Sequence, residues 1–454
     1  MTTLRCMFIF ILSVFLFTAC PGKQKPKNII FFIGDGYGFN HMLSTDFYQY
    51  GEKGKQVYEK FPVRFAMSTY PADSPGYDPV QAWSDFKYVM KKYTDSAAAG
   101  TALACATKTR NGIVGMNSEY KIVPNVTEIF DNLGKSTGVV TSVQFYHATP
   151  ACFVAHVKNR NEYATIAKQM VCQSGLSVIM GCGHPLYDEQ GQEKSNSEID
   201  SVWQEIFDQT AGNDMDNDGI KDAWTFIDAR EDFQKLISGE TPKRILGVAR
   251  ESSTLQVGRP DSSGAGPFEV PFIETVPTLK EMTMAAINVL DDNPEGFFLM
   301  VEGGAIDWAA HGNNSTRLIE EVTGFNEAIE AAVEWIETKS SWKETLVIVT
   351  ADHETGYLTG PGSGESDTPG ANNLNQWKPI KNNGKGNLPG MEWHSGSHTN
   401  SLVPFFAKGA GSTVFKRYAD EQDPVRGNYL DNTEVAQTIL LLTDKTQQME
   451  SIGQ

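Results

Sequence analysis

The sequence predicts an α/β fold of three layers, α/β/α, with a mainly parallel central sheet. Two observations predict it. Apolar, β-branched runs recur at Asn28–Ile33, Gly138–Val143, Gly296–Val301, Thr345–Thr350 and Leu402–Phe406. They lack polar alternation, which marks strands buried on both faces. Between them lie helical patterns at Ser96–Lys108, Leu279–Leu290 and Thr323–Glu337. Strand–helix alternation favours a parallel sheet flanked by helices.

The composition agrees. At 454 residues, 40% apolar and 21% charged, the chain has globular values and ample length for a core. Disordered, collagenous and multi-span membrane classes are excluded. With 38 Lys+Arg against 56 Asp+Glu, the formal net charge is −18. That argues against a protein that holds nucleic acid by charge, because phosphate neutralisation needs a basic surface. An anionic substrate then requires a local reversal of the field, such as bound metal.

The first residues read as an export signal. Arg5 precedes an apolar run, Met7–Leu16, too short to span a bilayer and suited to a signal-peptide core. The run ends in Phe17, Thr18, Ala19 and Cys20, which resembles a bacterial lipoprotein signal with Cys20 as the lipidated residue. Phe17 departs from the usual Leu, so plain cleavage nearby stays open. Residues 1–20 are therefore expected to be a signal peptide, 21–27 a tether and 28–454 one catalytic domain. The expected location is exported, lipid-anchored to a bacterial membrane, at the periplasm or cell surface.

Four cysteines remain beyond the signal: Cys105, Cys152, Cys172 and Cys182. No CxxC pair is present, which argues against a thiolate zinc site. Cys172 and Cys182 are the nearest pair for a disulfide; buried free thiols are the alternative.

Two stretches break the strand–helix rhythm. Residues 185–265 are polar and acidic, and 355–397 are rich in Gly, Asn, Ser and Pro; both read as insertions or long loops. Within the first, Asp214, Asp216 and Asp218 before Gly219 match the opening half of a calcium loop. Thr225 stands at the twelfth position where bidentate closure needs Glu, so a solvated acidic turn competes with bound Ca²⁺.

Chemistry gathers at strand ends. Asp35 directly follows the first strand, Glu302 follows Val301, and Asp352 and His353 follow the run ending near Thr350. In open parallel sheets functional groups collect at the carboxyl edge. Carboxylates clustered there are costly unless cations lie among them. After Gly303-Gly304, Asp307 and His311 fall at i and i+4 on one helix face, a ligand spacing. His398 precedes the last strand. A set of nitrogen and oxygen donors suits a catalytic Zn²⁺ with an open position. His394 is close enough in sequence to compete but reads as loop. Taken alone, each feature is an ordinary turn, cap or surface pair.

Ser96 is the nucleophile candidate. Asp95 or Thr94 caps a helix whose first turns are nearly all small residues, and such an N-terminus favours a phosphate. A serine hydroxyl needs a base or metal to become reactive. The absence of Gly-x-Ser-x-Gly argues against acyl transfer.

These segments together resemble the alkaline phosphatase family. The resemblance runs through Asn28–Gly36, Tyr93–Ala98, Thr107–Gly112, His147–Arg160, Val301–His311, Thr350–His353 and His398–Thr399, in the family's order. It implies one zinc held by Asp307, His311 and His398, and another held by Asp35, Asp352 and His353, with Ser96 bound to it as alkoxide. A third ion, commonly Mg²⁺, would use Asp35, Thr149 and Glu302. Arg160 would clamp two phosphoryl oxygens and Asp95 would orient it. Two departures are visible: His147 stands where some bacterial members carry Asp in the third-metal shell, and Trp308 where they carry Lys. An imidazole there can itself bind metal, which leaves Mg²⁺, Co²⁺ or Zn²⁺ open for that site.

The implied function is hydrolysis of phosphate monoesters through a phosphoserine, with no nucleic-acid partner, the membrane met only through the lipid anchor, and a homodimer left open. A phosphodiesterase of the same superfamily is the runner-up. A surface lipoprotein that binds metal or phosphate without turnover is the reading from a different class. Sulfatase is disfavoured because no Cys or Ser sits in a Cys-x-Pro-x-Arg context.

Overall fold

The computed structural model describes residues 25–195, 199–215, 218–260, 264–364 and 376–443. The expected signal with Cys20, residues 21–24 of the tether, and Asp216 of the acidic turn lie outside them.

The first strand, Asn28–Gly34, is buried along its whole length, as its unbroken apolar run requires. It pairs in parallel with Thr345–Ala351 on one side and Phe297–Gly303 on the other. From edge to edge the sheet orders Glu421–Asp423, Gly427–Asp431, Val63–Ser68, Val403–Gly409, Thr345–Ala351 and Asn28–Gly34. It continues through Phe297–Gly303, Ser136–Gln144, Val178–Cys182, Ile245–Val248 and Thr225–Ile227. Val403–Gly409 pairs antiparallel with both its neighbours, as does Glu421–Asp423 with Gly427–Asp431. The remaining pairs are parallel, so the sheet is mixed but mainly parallel, with flanking helices.

Register places the site. Gly34 lies opposite both Ala351 and Gly303, and Thr141 lies opposite Glu302. The three central strands thus end level, and Asp35, Glu302 and Asp352 emerge at one edge.

Helix Ser96–Cys105 is entirely buried. Its small residues allow close packing: a Cβ at Gly100 would stand 3.1 Å from the Cys152 side chain on helix Ala148–Cys152. The helix stops short of the expected Lys108 because Ala106 turns left-handed, at φ 54°. Leu279–Leu290 has the predicted bounds, fixed by a Thr278–Glu281 capping box. Ser315–Lys339 begins before the expected Thr323, where the Asn314 side chain caps the Arg317 N–H.

The two polar stretches contain more regular structure than loops would. Within 185–265, helix Ser201–Phe207 precedes Thr225–Ile227 and Ile245–Val248, which extend one edge of the main sheet. At the turn before them, the two oxygens of Asp214 accept the N–H groups of Asp218 and Gly219. In the second stretch, Glu354–Thr355 pairs with His398–Thr399, and Leu358–Thr359 with Glu392–Trp393. Thr355 lies opposite His398, so this small ladder returns His398 to the neighbourhood of His353. Cys105, Cys152, Cys172 and Cys182 are free thiols, so Cys172 and Cys182 are not bridged. Among the described residues no helix is long and apolar enough to cross a membrane.

Candidate active site and metal centre

Each predicted ligand comes from a distinct structural cause. Asp35, Glu302 and Asp352 are delivered by strand ends and are fully buried. Asp307 and His311 share one face of helix Ala305–His311, with His311 Nε2 3.3 Å from Asp307 Oδ2. His398 arrives on the short ladder, 3.6 Å from Asp307 Oδ1. Ligand-capable atoms converge in three groups: Asp307 with His311 and His398, Asp35 with Asp352 and His353, and Asp35 with His147 and Glu302. Within each group they lie within 4.8 Å of one another.

Neighbouring groups orient the imidazoles. His311 Nδ1 lies 2.7 Å from the Gly396 carbonyl and His398 Nδ1 2.8 Å from the Thr94 carbonyl. Carbonyls only accept, so both Nδ1 atoms donate to them and both Nε2 atoms face inward, where each can offer a lone pair to a metal once it carries no proton. His353 stacks on His398 with centroids 3.6 Å apart, and its Nδ1 is 3.3 Å from the Thr355 hydroxyl. Thr355 in turn donates to Asp307 at 2.5 Å, tying two of the groups together. Thr141 donates to Glu302 from the adjacent strand.

Burial and mutual repulsion disfavour the ionised form of most carboxylates on this rim. Burial lifts Asp35 well above the carboxylate range, and Asp352, Asp307 and Glu302 add to it. Burial also raises Asp352 to about 8 and Glu302 to about 7. Asp307 goes the other way: burial opposes ionisation, but the His311 hydrogen bond and the nearby His398 and His353 pull it below its usual range. The same hydrogen bond raises His311 to about 9, whereas burial, then Arg160, lowers His147 to about 3.

The donors also fit metal by what they lack. Both oxygens of Asp35, one oxygen each of Glu302 and Asp352, His147 Nδ1 and the Thr149 hydroxyl are buried with no hydrogen-bond partner. Each such orphan costs about 1–3 kcal/mol; divalent cations in these three groups would satisfy them. Oxygen and nitrogen donors with no thiolate, one or more imidazoles in each group, suit divalent ions such as zinc.

Ser96 opens its helix beside these groups, its Oγ 3.3 Å from His353 Nε2. Asp95 caps the helix by accepting the Ala98 N–H, and its other oxygen accepts from Gly112 N–H and from Arg160 Nη1 at 3.1 Å. Arg160 Nη2 reaches His147 Nε2 at 3.3 Å. Ser96, His147, Arg160, Asp307, Trp308, His311 and His398 line one cleft of about 340 Å³. Trp308 presents its ring edge-on to His147, 6.2 Å between centroids.

A sequence profile described as Alkaline phosphatase matches residues 26–387. The chain belongs to the alkaline phosphatase family. It is 30% identical to alkaline phosphatase 4 of Bacillus subtilis over 356 residues, 76% of this chain and 65% of that protein. It is 28% identical to the Escherichia coli K12 alkaline phosphatase over 349 residues, 73% of this chain and 71% of that one. The match to the Bacillus protein thus spans just under two thirds of its length. Among solved structures, alkaline phosphatase from the Antarctic bacterium TAB5 superposes with a TM-score of 0.61 at 27% identity, covering 92% of this chain and 98% of that one. A His-to-Asp variant of that enzyme, 26% identical here with TM-score 0.61 and the same coverage, was solved with Mg bound in its M3 site.

Asp35, Glu302, Asp307, His311, Asp352, His353 and His398 come together in these groups, with His147 joining Asp35 and Glu302 in the third; Thr149, also expected there, is buried. His394 does not join them. Its Nε2 hydrogen-bonds the Thr359 hydroxyl at 2.7 Å and its ring packs edge-on to Phe86. Sequence reasoning missed Thr355, Thr141 and the carbonyls of Thr94 and Gly396. Strand register could have paired Thr141 with Glu302; main-chain carbonyls carry no residue signal.

Proposed function

We propose that this protein is an exported, metal-dependent phosphomonoesterase that hydrolyses phosphate monoesters through a phosphoserine at a two-zinc site. The observation that carries this reading is Ser96 Oγ at 3.3 Å from His353 Nε2, between the cation-binding groups and the Arg160 guanidinium. Family membership and the names of the relatives support it. Asp307, His311 and His398 would hold one zinc; Asp35, Asp352 and His353 the second; Asp35, Glu302, Thr149 and His147 a third ion, Mg²⁺ or Co²⁺ or another zinc. Such ions, when bound, supply Lewis-acid stabilisation of the attacking and leaving oxygens of an in-line displacement.

The chain's own residues do the rest. Arg160, held in place by Asp95, offers two N–H groups to two free phosphoryl oxygens, which a monoester has to spare. The N-terminus of helix Ser96–Cys105 adds its positive dipole end. Ser96 Oγ, its proton lost to solvent, attacks phosphorus; the bond from phosphorus to the ester oxygen breaks, and that oxygen takes a proton from water and departs as the alcohol, leaving a phosphoserine. Water then attacks the same phosphorus from the vacated side, releasing inorganic phosphate and restoring the serine. The apolar run and Cys20 in the sequence support export and lipid anchoring. The Antarctic relative's His-to-Asp variant, solved with Mg in its M3 site, supports a third ion in an enzyme of this fold.

Stripping with a chelator and re-adding Zn²⁺, Mg²⁺ or Co²⁺ should abolish and restore turnover of 4-nitrophenyl phosphate, and Ser96→Ala should abolish it permanently. Monoesters should outcompete diesters. Wild-type turnover by Ser96→Ala, or preference for a diester, would overturn the reading.

A further inference from the structure

We propose a second ligand site, for a small organic cation with an apolar body, in the cavity of about 350 Å³ between helix Ser315–Lys339 on one side and Leu255, Gln256 and the segment Phe268–Leu279 on the other. The volume falls in the usual range for small-molecule pockets, and the cavity shares no lining residue with the Ser96 cleft.

Leu255, Val276, Leu279 and Phe325 wall it and are all buried. Against this apolar lining stand carboxylates: Glu274 and Glu327 are exposed, and Glu321 is the most buried of the three. Glu321 lines the cavity, and no hydrogen bond or ion pair engages its carboxylate among the described residues. Glu320 and Arg230 beside it are already committed. Glu320 accepts from Arg259, from Arg317 at 2.8 Å and from the Phe268 N–H at 2.7 Å. Arg230 is bound in two-pronged fashion to Glu281, at 3.0 Å through both Nε and Nη2. Burial raises Glu321 to about 7, so above neutral pH it is an ionised carboxylate seeking a cation.

The aromatic rim matches the same ligand. Phe268 and Phe272 are each 41% exposed, with ring centroids 6.1 Å apart. Phe268 adopts the left-handed region, φ 68°, an unfavourable backbone for a bulky side chain, and the Glu320 contact to its N–H holds it there. Strained backbone thus places a ring at the rim. Aromatic faces attract cations, and Arg259 already lies over Phe272 at 4.1 Å. An ammonium paired with Glu321, carrying an apolar body against Leu255 and Phe325, satisfies every feature. A neutral or anionic ligand leaves the carboxylate unpaired.

The test is calorimetric titration at pH 8.5 with saturating inorganic phosphate to block the Ser96 cleft. The probes are 4-phenylbutyl-trimethylammonium, 4-phenylbutanol and 4-phenylbutanoate. The cation should bind saturably and at least about tenfold more tightly than the alcohol, with the carboxylate weakest. Glu321→Gln should remove that preference while leaving hydrolysis of 4-nitrophenyl phosphate unchanged. Equal binding of cation and alcohol to the wild type, no saturable binding, or a preference that survives in Glu321→Gln overturns the proposal. If that variant does not fold, the wild-type comparison alone decides.

Discussion

The Nε2 atoms of His311 and His398 face each other at 3.0 Å, while each Nδ1 is bound to a backbone carbonyl. Without metal the two nitrogens can share a proton, and with both deprotonated they can offer their lone pairs to one cation between them. Asp307, 3.3 Å from the first ring and 3.6 Å from the second, supplies the anionic third donor. His398→Ala should therefore remove the zinc of this group, read by elemental analysis after gel filtration. Turnover should fall by more than the roughly 10–100-fold that outer-shell partners cost. Full zinc content in the variant would contradict the assignment.

Arg160 is tethered by Asp95 but keeps its Nη2 edge toward the cleft. Arg160→Ala should raise KM for monoesters and weaken inhibition by inorganic phosphate, costing about 1.5–3 kcal/mol for the lost charge-assisted bonds. Asp95→Asn should act in the same direction and less strongly, because the guanidinium remains. Steady-state kinetics of both variants checks the order.

The third group takes an imidazole where a carboxylate would make it harder and more anionic. His147→Asp should shift the site toward Mg²⁺, since small hard cations favour carboxylate oxygen. The readout is the Mg²⁺ concentration that half-activates the stripped enzyme, which should fall. No change would show that His147 does not contact the third ion.

The carboxylate edge was legible because its residues sit where strand ends must place them. Asp35, Glu302 and Asp352 needed only the apolar runs before them, and Asp307 with His311 only the helical period. His398 was legible from its place before the last strand, but its route to His353 was not, because two-residue strands such as Glu354–Thr355 leave no periodic signature. Nor did composition reveal that Val403–Gly409 runs antiparallel: direction is set by the connection, and the strand's buried run looks the same either way. The strands Thr225–Ile227 and Ile245–Val248 are only three and four residues long and sit among charged residues, so neither gave a clear apolar run. Thr355 and the Thr94 carbonyl orient ligands through contacts that exist only after folding.

Glu251 gives a pH prediction away from the metals. Its carboxyl is buried, one oxygen unpartnered and the other accepting the Ser253 N–H at 2.5 Å. Burial raises it from 4.5 to about 8. The unfolded chain thus loses this proton first as pH rises, so the group's stabilising effect is fully present below pH 4.5 and is lost progressively up to about 8. Glu251→Gln should melt increasingly higher than wild type across that window, by up to on the order of a few kcal/mol, and level off above it. A constant gap in thermal melts from pH 5 to 9 would contradict this.

The most direct test of the account is to trap the covalent enzyme. The metal-loaded protein, mixed with a phosphate monoester and quenched in acid, should yield one phosphorylated peptide by mass spectrometry, modified at Ser96. An active enzyme whose phosphate maps to another residue would contradict the account. So would turnover that persists in full when Ser96 cannot be phosphorylated.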